Sequence, residues 1–345
     1  MFSLLRFTLL LHALIFLSGC STIYQTTGWF AYDYTEDYAI PYSLKGDDPQ
    51  MACALSESMT GALLSFSEVA YTPDRQAIAM HMMAGACAEE RAREHALTYL
   101  RALKAKNVSE AKDARIREKR EYALAANRQY KAYQHMLAAF VEGDDVAREV
   151  GNECPELDED EELFWMMGIL SGFQAVMSDV RSQGQVDVPQ NIAMQSVRGI
   201  QCLDNQRWWG VPQAINAAVG IMLPRAEDPQ AVQAWKDMQQ ASDIASAVGV
   251  RLVHAIEVTV ADGRDEHQKL RDAIRRHVRS INTTPSNAQF RMMDITATRQ
   301  ILAISDRLWT EATGSRTPIG GLGTFWDDDD DQAAALDIDD LLGDE

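Results

Sequence analysis

The chemistry available to this 345-residue sequence lies mainly in its five cysteines. The first of them, Cys20, follows a short segment with one positive charge, Arg6, and an apolar run at 7–17. That run is too short to cross the roughly 30 Å of a bilayer core, and it is typical of a signal-peptide core. Ser18 and Gly19, directly before Cys20, complete a pattern that resembles the bacterial lipobox, in which the cysteine thiol is diacylated.

We therefore predict a lipoprotein signal peptide at 1–19 and lipidation of Cys20. Two or more acyl chains of the palmitate type anchor a protein stably. Ser21 after the cysteine, rather than Asp, favours the outer membrane of a Gram-negative bacterium, with the chain facing the periplasm. The alternatives are a plain secretory signal with a chance cysteine and a buried N-terminal helix.

The four remaining cysteines are candidates for disulfides, because their number is even and the expected compartment is oxidising. Helical register favours Cys53 with Cys87, since each lies a similar distance from the turn at 71–73 on antiparallel helices. Cys154 with Cys202 would then be the second pair. Four buried free thiols are the alternative, and the lack of a C-x-x-C pattern argues against a redox or zinc motif.

Catalytic and metal-binding patterns are missing from the sequence. It contains no G-x-S-x-G, no H-E-x-x-H, no P-loop and no G-x-G-x-x-G. No two histidines have the i,i+4 spacing of a helical metal pair, and the segment DGRDEH at 262–267 lacks the ligand register of an EF-hand. We therefore predict a non-enzymatic protein that has no cofactor and no metal.

Small residues and large apolar residues alternate in one segment that is a candidate ligand or partner groove. Gly168, Gly172 and Ala175 share one face of a predicted helix. Each interior glycine costs about 1 kcal/mol relative to alanine, so a packing or binding role must compensate. Close helix packing is the simpler explanation, and a groove opened by the small residues is the alternative. The residues expected to floor such a groove are Trp165, Met166 and Phe173.

Two adjacent indoles extend this candidate groove. Trp208 and Trp209 lie between two predicted helices, directly before Gly210. Adjacent side chains on a turn are expected to point in different directions, so we predict that one indole is buried and the other lies at a pocket or an interface. A plain packing role for both is the alternative.

Residues 49–312 are predicted to form a helical domain. Helix-forming residues dominate, strand-like alternation is absent, and proline or glycine recurs between segments. The predicted fold class is all-α, an α-solenoid of antiparallel helix hairpins that is degenerate TPR-like, although no clean 34-residue repeat occurs. The predicted helices are 50–69, 74–106, 109–140, 159–182, 190–204, 212–223, 229–260, 264–280 and 287–312.

An aromatic-rich tether, at 20–48, precedes this domain, and a Gly-rich linker with a disordered acidic tail, at 313–345, follows it. Because a flexible leash is normally rich in Gly and Ser, we expect the tether to pack on the body or to lie at the lipid interface. Its rings are Tyr24, Trp29, Phe30, Tyr32, Tyr34, Tyr38 and Tyr42.

The formal net charge of −19 is unevenly distributed. Residues 327–345 hold ten carboxylates and no base, which argues against a nucleic-acid partner. Residues 89–131 carry twelve basic and seven acidic residues, a balance of +5. Solvated helix faces explain this basic segment, and a docking face for the tail or for an acidic partner is the alternative.

Two stretches together resemble the T-component lipoproteins of TRAP transporters. The first runs from Glu161 through Gly172, continues with VPQNIAMQSVRGIQCLD at 188–204, and includes Trp209-Gly210 and the predicted helix after it. The second is 252–309, with DGRDEHQKL at 262–270 and NAQFRMMDITATRQILAISDRLW at 287–309. The resemblance covers roughly 50–310 and the lipobox, whereas the tether, the acidic tail and the four cysteines depart from the family.

The resemblance implies a periplasmic protein of TPR-like hairpins that forms a homotrimer with a pore or groove in each subunit. It also implies association with the soluble solute-binding protein of a TRAP transporter, and it places four of the groove candidates at the family's helix-lined cleft: Trp165, Phe173, Trp208 and Trp209. The leading hypothesis is thus a non-enzymatic lipid-anchored accessory protein that docks this binding protein; contact with the transported ligand is left open. The alternatives are a general envelope scaffold unrelated to transport and a ligand-binding lipoprotein that acts alone.

Overall fold

The fold is known from a computed structural model that describes residues 22–141, 150–222 and 228–328. All the regular elements in these ranges are helices, which confirms the predicted all-α class. The signal peptide, Cys20 and the acidic residues beyond 328 lie outside the described residues.

Helix α1 covers residues 22–45 and contains a π-helical turn at Thr35–Ala39 before its last segment, Ile40–Lys45. The predicted tether is therefore largely helical. The helices that follow are α2 (Pro49–Ser65), α3 (Asp74–Lys104), α4 (Val108–Phe140), α5 (Glu159–Ser182), α6 (Asn191–Gly199), α7 (Val211–Met222), α8 (Pro229–Val248), α9 (Leu252–Gly263), α10 (His267–Thr283) and α11 (Arg291–Thr313).

Side-chain caps fix several of the helix starts. Asp48 accepts hydrogen bonds from the amides of Gln50 and Met51 at the start of α2. At the start of α5, Asp158 and Glu161 form a reciprocal capping box. Such caps satisfy amides that have no partner within the helix, and each contributes about 1 kcal/mol. They explain why most predicted starts agree with the structure within two residues.

The predicted helix 229–260 is wrong, because the chain turns at Gly249 and forms two helices, α8 and α9. Gly249 has φ = +70°, the left-handed conformation that ends a helix at low cost only for glycine. A Cβ atom on this residue would lie 2.3 Å from the carbonyl oxygen of Pro285. The turn is also held from outside, since the amide of Asn287 donates to the Gly249 carbonyl at 3.0 Å.

The helices pack mainly against their neighbours in sequence. α3 and α4 form a long hairpin, α5 packs along α4 and also meets α3, and α7 pairs with α8. α9 contacts α7, α8, α10 and α11, and α11 returns to α3, where Arg299 pairs with Glu90 at 2.8 Å. Helices α3, α5 and α11 therefore surround a common space.

The predicted Gly-rich linker is not a free leash up to residue 328. The Arg271 guanidinium lies 4.5 Å from the centre of the Phe325 ring, and Phe325 is buried. Arg271 also binds Asp327 through two hydrogen bonds of 2.8 and 3.0 Å, and Arg275 binds Asp328 at 2.7 Å. The first two acidic residues of the tail thus meet α10, not the basic segment 89–131.

Among the described helices, α5 alone is long and apolar enough to span a membrane by length and composition. Its most apolar stretch is 67% buried inside the fold, as in any central helix of a packed core.

Candidate functional site

A cavity of about 800 Å³ lies between α3, α5 and α11, with α1, α2 and α9 at its sides. On α3 its wall runs from Ala79 to Leu100, a distance of roughly 32 Å at 1.5 Å per residue. The volume is in the range of ligand-binding sites. The space is therefore long and narrow, with room for one extended molecule.

Each long helix presents one stripe of side chains to this cavity. The stripe on α5 is Met166, Leu170, Phe173, Met177 and Arg181, at the three- and four-residue spacing that keeps side chains on one face. α3 and α11 contribute stripes in which alanine is frequent, and these short side chains leave the space between the helices open. Nine methionines contribute to the described wall: Met80, Met82, Met83, Met166, Met167, Met177, Met194, Met222 and Met293. Methionine is flexible and polarizable, and such surfaces adapt to ligands of different shape.

The two ends of the cavity differ in charge. Near Ile40, Leu44, Met80 and Met293 the wall carries apolar side chains and the hydroxyl of Ser43. The charged lining residues begin at Glu89, halfway along the α3 wall, and continue toward the ends of α5 and α11: Glu89, Arg93, Arg115, Glu118, Arg181, Asp262, Arg307 and Glu311. The cavity is thus apolar in one half and carries charged side chains in the other.

Three of the four arginines at the charged end are neutralised by carboxylates. Arg93 pairs with Glu89 at 2.5 Å and Arg115 pairs with Glu118 at 2.7 Å. Arg307 pairs with both Asp262 and Glu311. In these pairs each guanidinium group already binds a carboxylate.

Arg181 is the exception. Its guanidinium lies 5.3 Å from the centre of the Tyr122 ring, and among the described residues it makes no ion pair within 4.0 Å. Burial alone would lower the pKa of Arg181, but Tyr122 and Glu89 outweigh it and the pKa is raised. Arg181 therefore carries a positive charge toward the cavity and has no carboxylate bound to it.

Glu89, the nearest acidic group on α3, already has protein partners on both carboxylate oxygens. It accepts hydrogen bonds from Gln129 at 2.7 Å and from Ser178 at 2.9 Å, in addition to the Arg93 pair. Burial alone would raise the pKa of Glu89, but Arg93 and Arg181 with the two hydrogen bonds lower it. This carboxylate is charged, and it belongs to the wall of the cavity.

The cavity contains two of the five predicted groove residues, Met166 and Phe173. Trp165 is buried beside it, where its indole N–H donates to the Gly199 carbonyl at 2.9 Å. The predicted helix α5 therefore forms a wall of the site, but its tryptophan belongs to the core.

Of the two interpretations of the adjacent indoles, the structure fits a plain packing role for both and not one indole at a pocket. Trp208 and Trp209 are each 5% exposed. Trp209 has φ = +57°, and this left-handed backbone allows consecutive side chains to enter the core together. The two rings meet edge to face at 5.4 Å, the Trp208 N–H donates to Glu162 at 2.7 Å, and Trp209 packs on Phe290. Neither indole lines the cavity.

The glycines of α5 serve helix packing. A Cβ atom on Gly168 would lie 2.3 Å from the Cβ of Met136, and one on Gly172 would lie 2.4 Å from the Tyr133 ring. Both neighbours are on α4, so the small residues allow α4 and α5 to approach closely. Close helix packing, the simpler interpretation of these glycines, thus describes this face of α5. The cavity lies on a different face of the helix.

The four described cysteines form two disulfides, the pair that the helical register favoured and the pair that then remained. Cys53–Cys87 joins α2 to α3, two helices of the cavity wall. Cys154–Cys202 joins the segment before α5 to the 3₁₀ turn after α6. The first bond thus ties two lining helices together, next to Ala52 and Ala86 of the cavity wall.

The buried histidines lie outside the cavity wall. His254 and His277 face each other with their Nδ1 atoms 3.3 Å apart, and burial lowers their pKa values to about 4 and about 3. Within the described ranges no group of three or more His, Cys, Asp or Glu side chains could hold a metal ion. What the described site offers is therefore apolar contact and one unpaired positive charge.

Comparisons with protein-family models, with curated proteins and with solved structures find no match for this chain.

Proposed function

We propose that this protein is a non-enzymatic, lipid-anchored periplasmic protein that binds one elongated amphipathic molecule in the cavity between α3, α5 and α11. The observation that carries the proposal is the cavity itself, long and apolar with an unpaired arginine at one end. A ligand with a hydrocarbon chain and an anionic head would match both parts. The chain would bury apolar surface at about 25 cal/mol per Å².

Arg181 is the group we propose for the head of the ligand. A guanidinium binds a carboxylate or phosphate through two parallel N–H···O bonds, and such charge-assisted bonds are stronger than neutral ones. The other cavity arginines would contribute little, because a new anion would compete with the carboxylates that they already bind.

We further propose that the protein acts beside a TRAP-type transporter, docking its soluble solute-binding protein. The support is the resemblance of two stretches to the T-component lipoproteins, together with the lipobox. A TPR-like solenoid and a homotrimer belong to this proposal, and the pairing of neighbouring helices supports the first. The alternative, a general envelope scaffold, shares the anchor and the helices and makes no use of the cavity.

Ligand binding is tested with a fluorescent long-chain carboxylic acid and the alcohol of the same chain length. We expect Arg181→Met to weaken binding of the acid by ten- to a hundredfold, as the loss of a charged hydrogen bond of about 1.5–3 kcal/mol requires. Binding of the alcohol should change less than twofold. The matched control is Arg117→Met, because Arg117 is an exposed arginine on α4 away from the cavity. Equal loss for acid and alcohol, or no binding of either, would refute the proposed ligand class.

Docking is tested separately, by affinity capture of the solute-binding protein encoded beside this gene. Specific capture at micromolar concentration is expected, and TRAP permease genes should be neighbours. Envelope-assembly genes in that position, with no complex at tens of micromolar, would favour the scaffold instead. Ligand binding and docking can fail independently, so the two experiments judge the two halves of the proposal.

A further inference from the structure

Helix α1 has one face on the protein body and one face covered with exposed aromatic rings. The aromatic face consists of Phe30, Tyr34, Tyr38 and Tyr42, whose side chains are 71%, 54%, 64% and 78% exposed. Large apolar surfaces of this kind are uncommon on a monomer unless something binds them. The row of rings is roughly 18 Å long, from twelve residues at 1.5 Å each.

The opposite face of α1 is firmly attached. Tyr32, Ile40 and Leu44 are buried against the body. Glu36 accepts a hydrogen bond from Gln76 of α3 at 2.6 Å and pairs with Arg75 at 3.3 Å. The helix therefore cannot turn its rings inward without breaking these contacts.

The π-helical turn keeps the rings in line. A four-residue spacing drifts by roughly 40° per step around an α-helix of 3.6 residues per turn. The turn at Thr35–Ala39 is wider, which reduces this drift where the row would otherwise leave the face. Tyr34 and Tyr38 consequently stack, with ring centres 5.7 Å apart and planes 25° apart.

We propose that the aromatic face of α1 lies on the surface of a zwitterionic bilayer, with the helix axis parallel to the membrane. Tyrosine suits this position, because its ring is apolar and its hydroxyl is wet, and such rings concentrate at headgroup level. Residue 22, two positions after Cys20, is already helical, so an acyl anchor on that cysteine would hold this end of α1 at the membrane. The proposal rests on the lipidation part of the proposed function.

The charge of the segment selects the type of lipid. Between residues 21 and 44 the sequence has no Lys, Arg or His, whereas Asp33 and Asp37 lie exposed beside the rings. Anionic lipids attract basic segments, at about 1 kcal/mol for each Lys or Arg, and would repel this one. A neutral headgroup layer is therefore the surface that fits.

The orientation has a consequence for the cavity. Ile40, Ser43 and Leu44 on the inner face of α1 line the cavity at its apolar end. The side chains of Tyr38 and Tyr42 project from the same turns of the helix on its exposed, outer side. A membrane-bound α1 would thus place the apolar end of the cavity next to the lipid and leave Arg181 at the other end.

Brominated lipids test this contact, because bromine on the upper part of an acyl chain quenches nearby indole fluorescence. The full acylated chain is placed in nanodiscs of zwitterionic lipid, with Tyr38→Trp as the reporter. We expect the added emission to fall by at least half in brominated discs. The matched control is Val108→Trp, a 61% exposed position at the start of α4, whose emission should be unchanged.

Three results would overturn the proposal. They are an unquenched Tyr38→Trp reporter in acylated protein, equal quenching of both reporters, and quenching that needs anionic lipid. Mass spectrometry of the intact protein shows whether the chain is acylated in the same samples. If the chain carries no acyl groups and does not bind the discs, the membrane contact is also refuted. Ligand binding in the cavity is still tested independently by the fluorescent-acid assay.

Discussion

Two arginines in this fold have opposite environments. Arg251, at the start of α9, has no exposed surface and binds Asp294 at 2.6 Å. Its remaining N–H groups donate to the Ser280 hydroxyl at 2.8 Å, to the Ser280 carbonyl at 3.0 Å and to the Thr284 carbonyl. Arg181 faces a cavity and contacts a tyrosine ring.

The contrast shows which kind of charge indicates a binding site. A buried arginine whose three guanidinium nitrogens all donate to protein groups holds helices together and has no capacity for a ligand. A cavity arginine without a bound carboxylate retains donors for an anion that enters. The predictions below test whether the buried contacts around Arg251, between α9, α10 and α11, are structural while the cavity is free to bind.

The largest expected effect is on Arg251. We expect Arg251→Met to lower the free energy of unfolding by about 3–5 kcal/mol, because Asp294 would stay buried without its countercharge. Arg181→Met should cost less than about 1 kcal/mol, since no ion pair is lost there. Urea unfolding followed by circular dichroism, with the disulfides intact, measures both. Equal losses in the two variants would remove the distinction between the two arginines.

A smaller effect on stability tests whether Gly172 of helix α5 serves helix packing or ligand binding. Gly172→Ala places a Cβ atom against the Tyr133 ring, and we expect a loss of about 1–3 kcal/mol from overpacking. Affinity for the fluorescent acid should stay within twofold, because Gly172 does not line the cavity.

Gly61→Ala on α2 is the matched control, because no atom outside its own helix neighbourhood lies within 4 Å of the added Cβ. It should gain up to about 1 kcal/mol from helix propensity. A Gly172→Ala variant of normal stability with weakened ligand binding would revive the interpretation of the glycines as a groove.

Sequence reasoning predicted the helices well where local signals act alone. Asp48 and Asp158 are caps that can be recognised from residue type and position. The break at Gly249 was missed, because helix-forming residues flank it on both sides and the left-handed turn is fixed by contacts with Pro285 and Asn287. The inward turn of both indoles at Trp209 likewise depends on tertiary packing.

The cavity could not be predicted from the sequence, for a related reason. A stripe of methionine and alanine looks the same whether the facing helix touches it or stays several ångströms away. One signal was nevertheless present, since the stripes on α3, α5 and α11 each contain an arginine after their first apolar residues, Arg93, Arg181 and Arg307. Three apolar stripes that each include a charge indicate a space with two chemically different parts. Which arginine would remain unpaired required the coordinates.

The last expected effect is a pH dependence that belongs to the buried contacts around Arg251. His254 and His277 are buried, His254 Nε2 lies 3.0 Å from the Ser242 carbonyl, and His277 Nε2 lies 3.1 Å from the Thr298 hydroxyl. Burial lowers the pKa of His254 to about 4, and burial, His254 and Arg251 lower that of His277 to about 3, from 6.5 when unfolded. The unfolded chain therefore binds more protons below pH 6.5.

Stability from these two residues is fully present above pH 6.5 and is lost as the pH falls toward 4 and 3. Between pH 6.5 and 5 we expect a loss of at most about 2 kcal/mol for each histidine. Urea unfolding at a series of pH values measures the slope, which His277→Asn should reduce. Binding of a fluorescent sulfonate, which stays anionic, should change little over the same range, because the Arg181 guanidinium does not titrate there. If sulfonate affinity instead followed the histidine titration, the two regions would be coupled, and Arg181 would not act as an independent site.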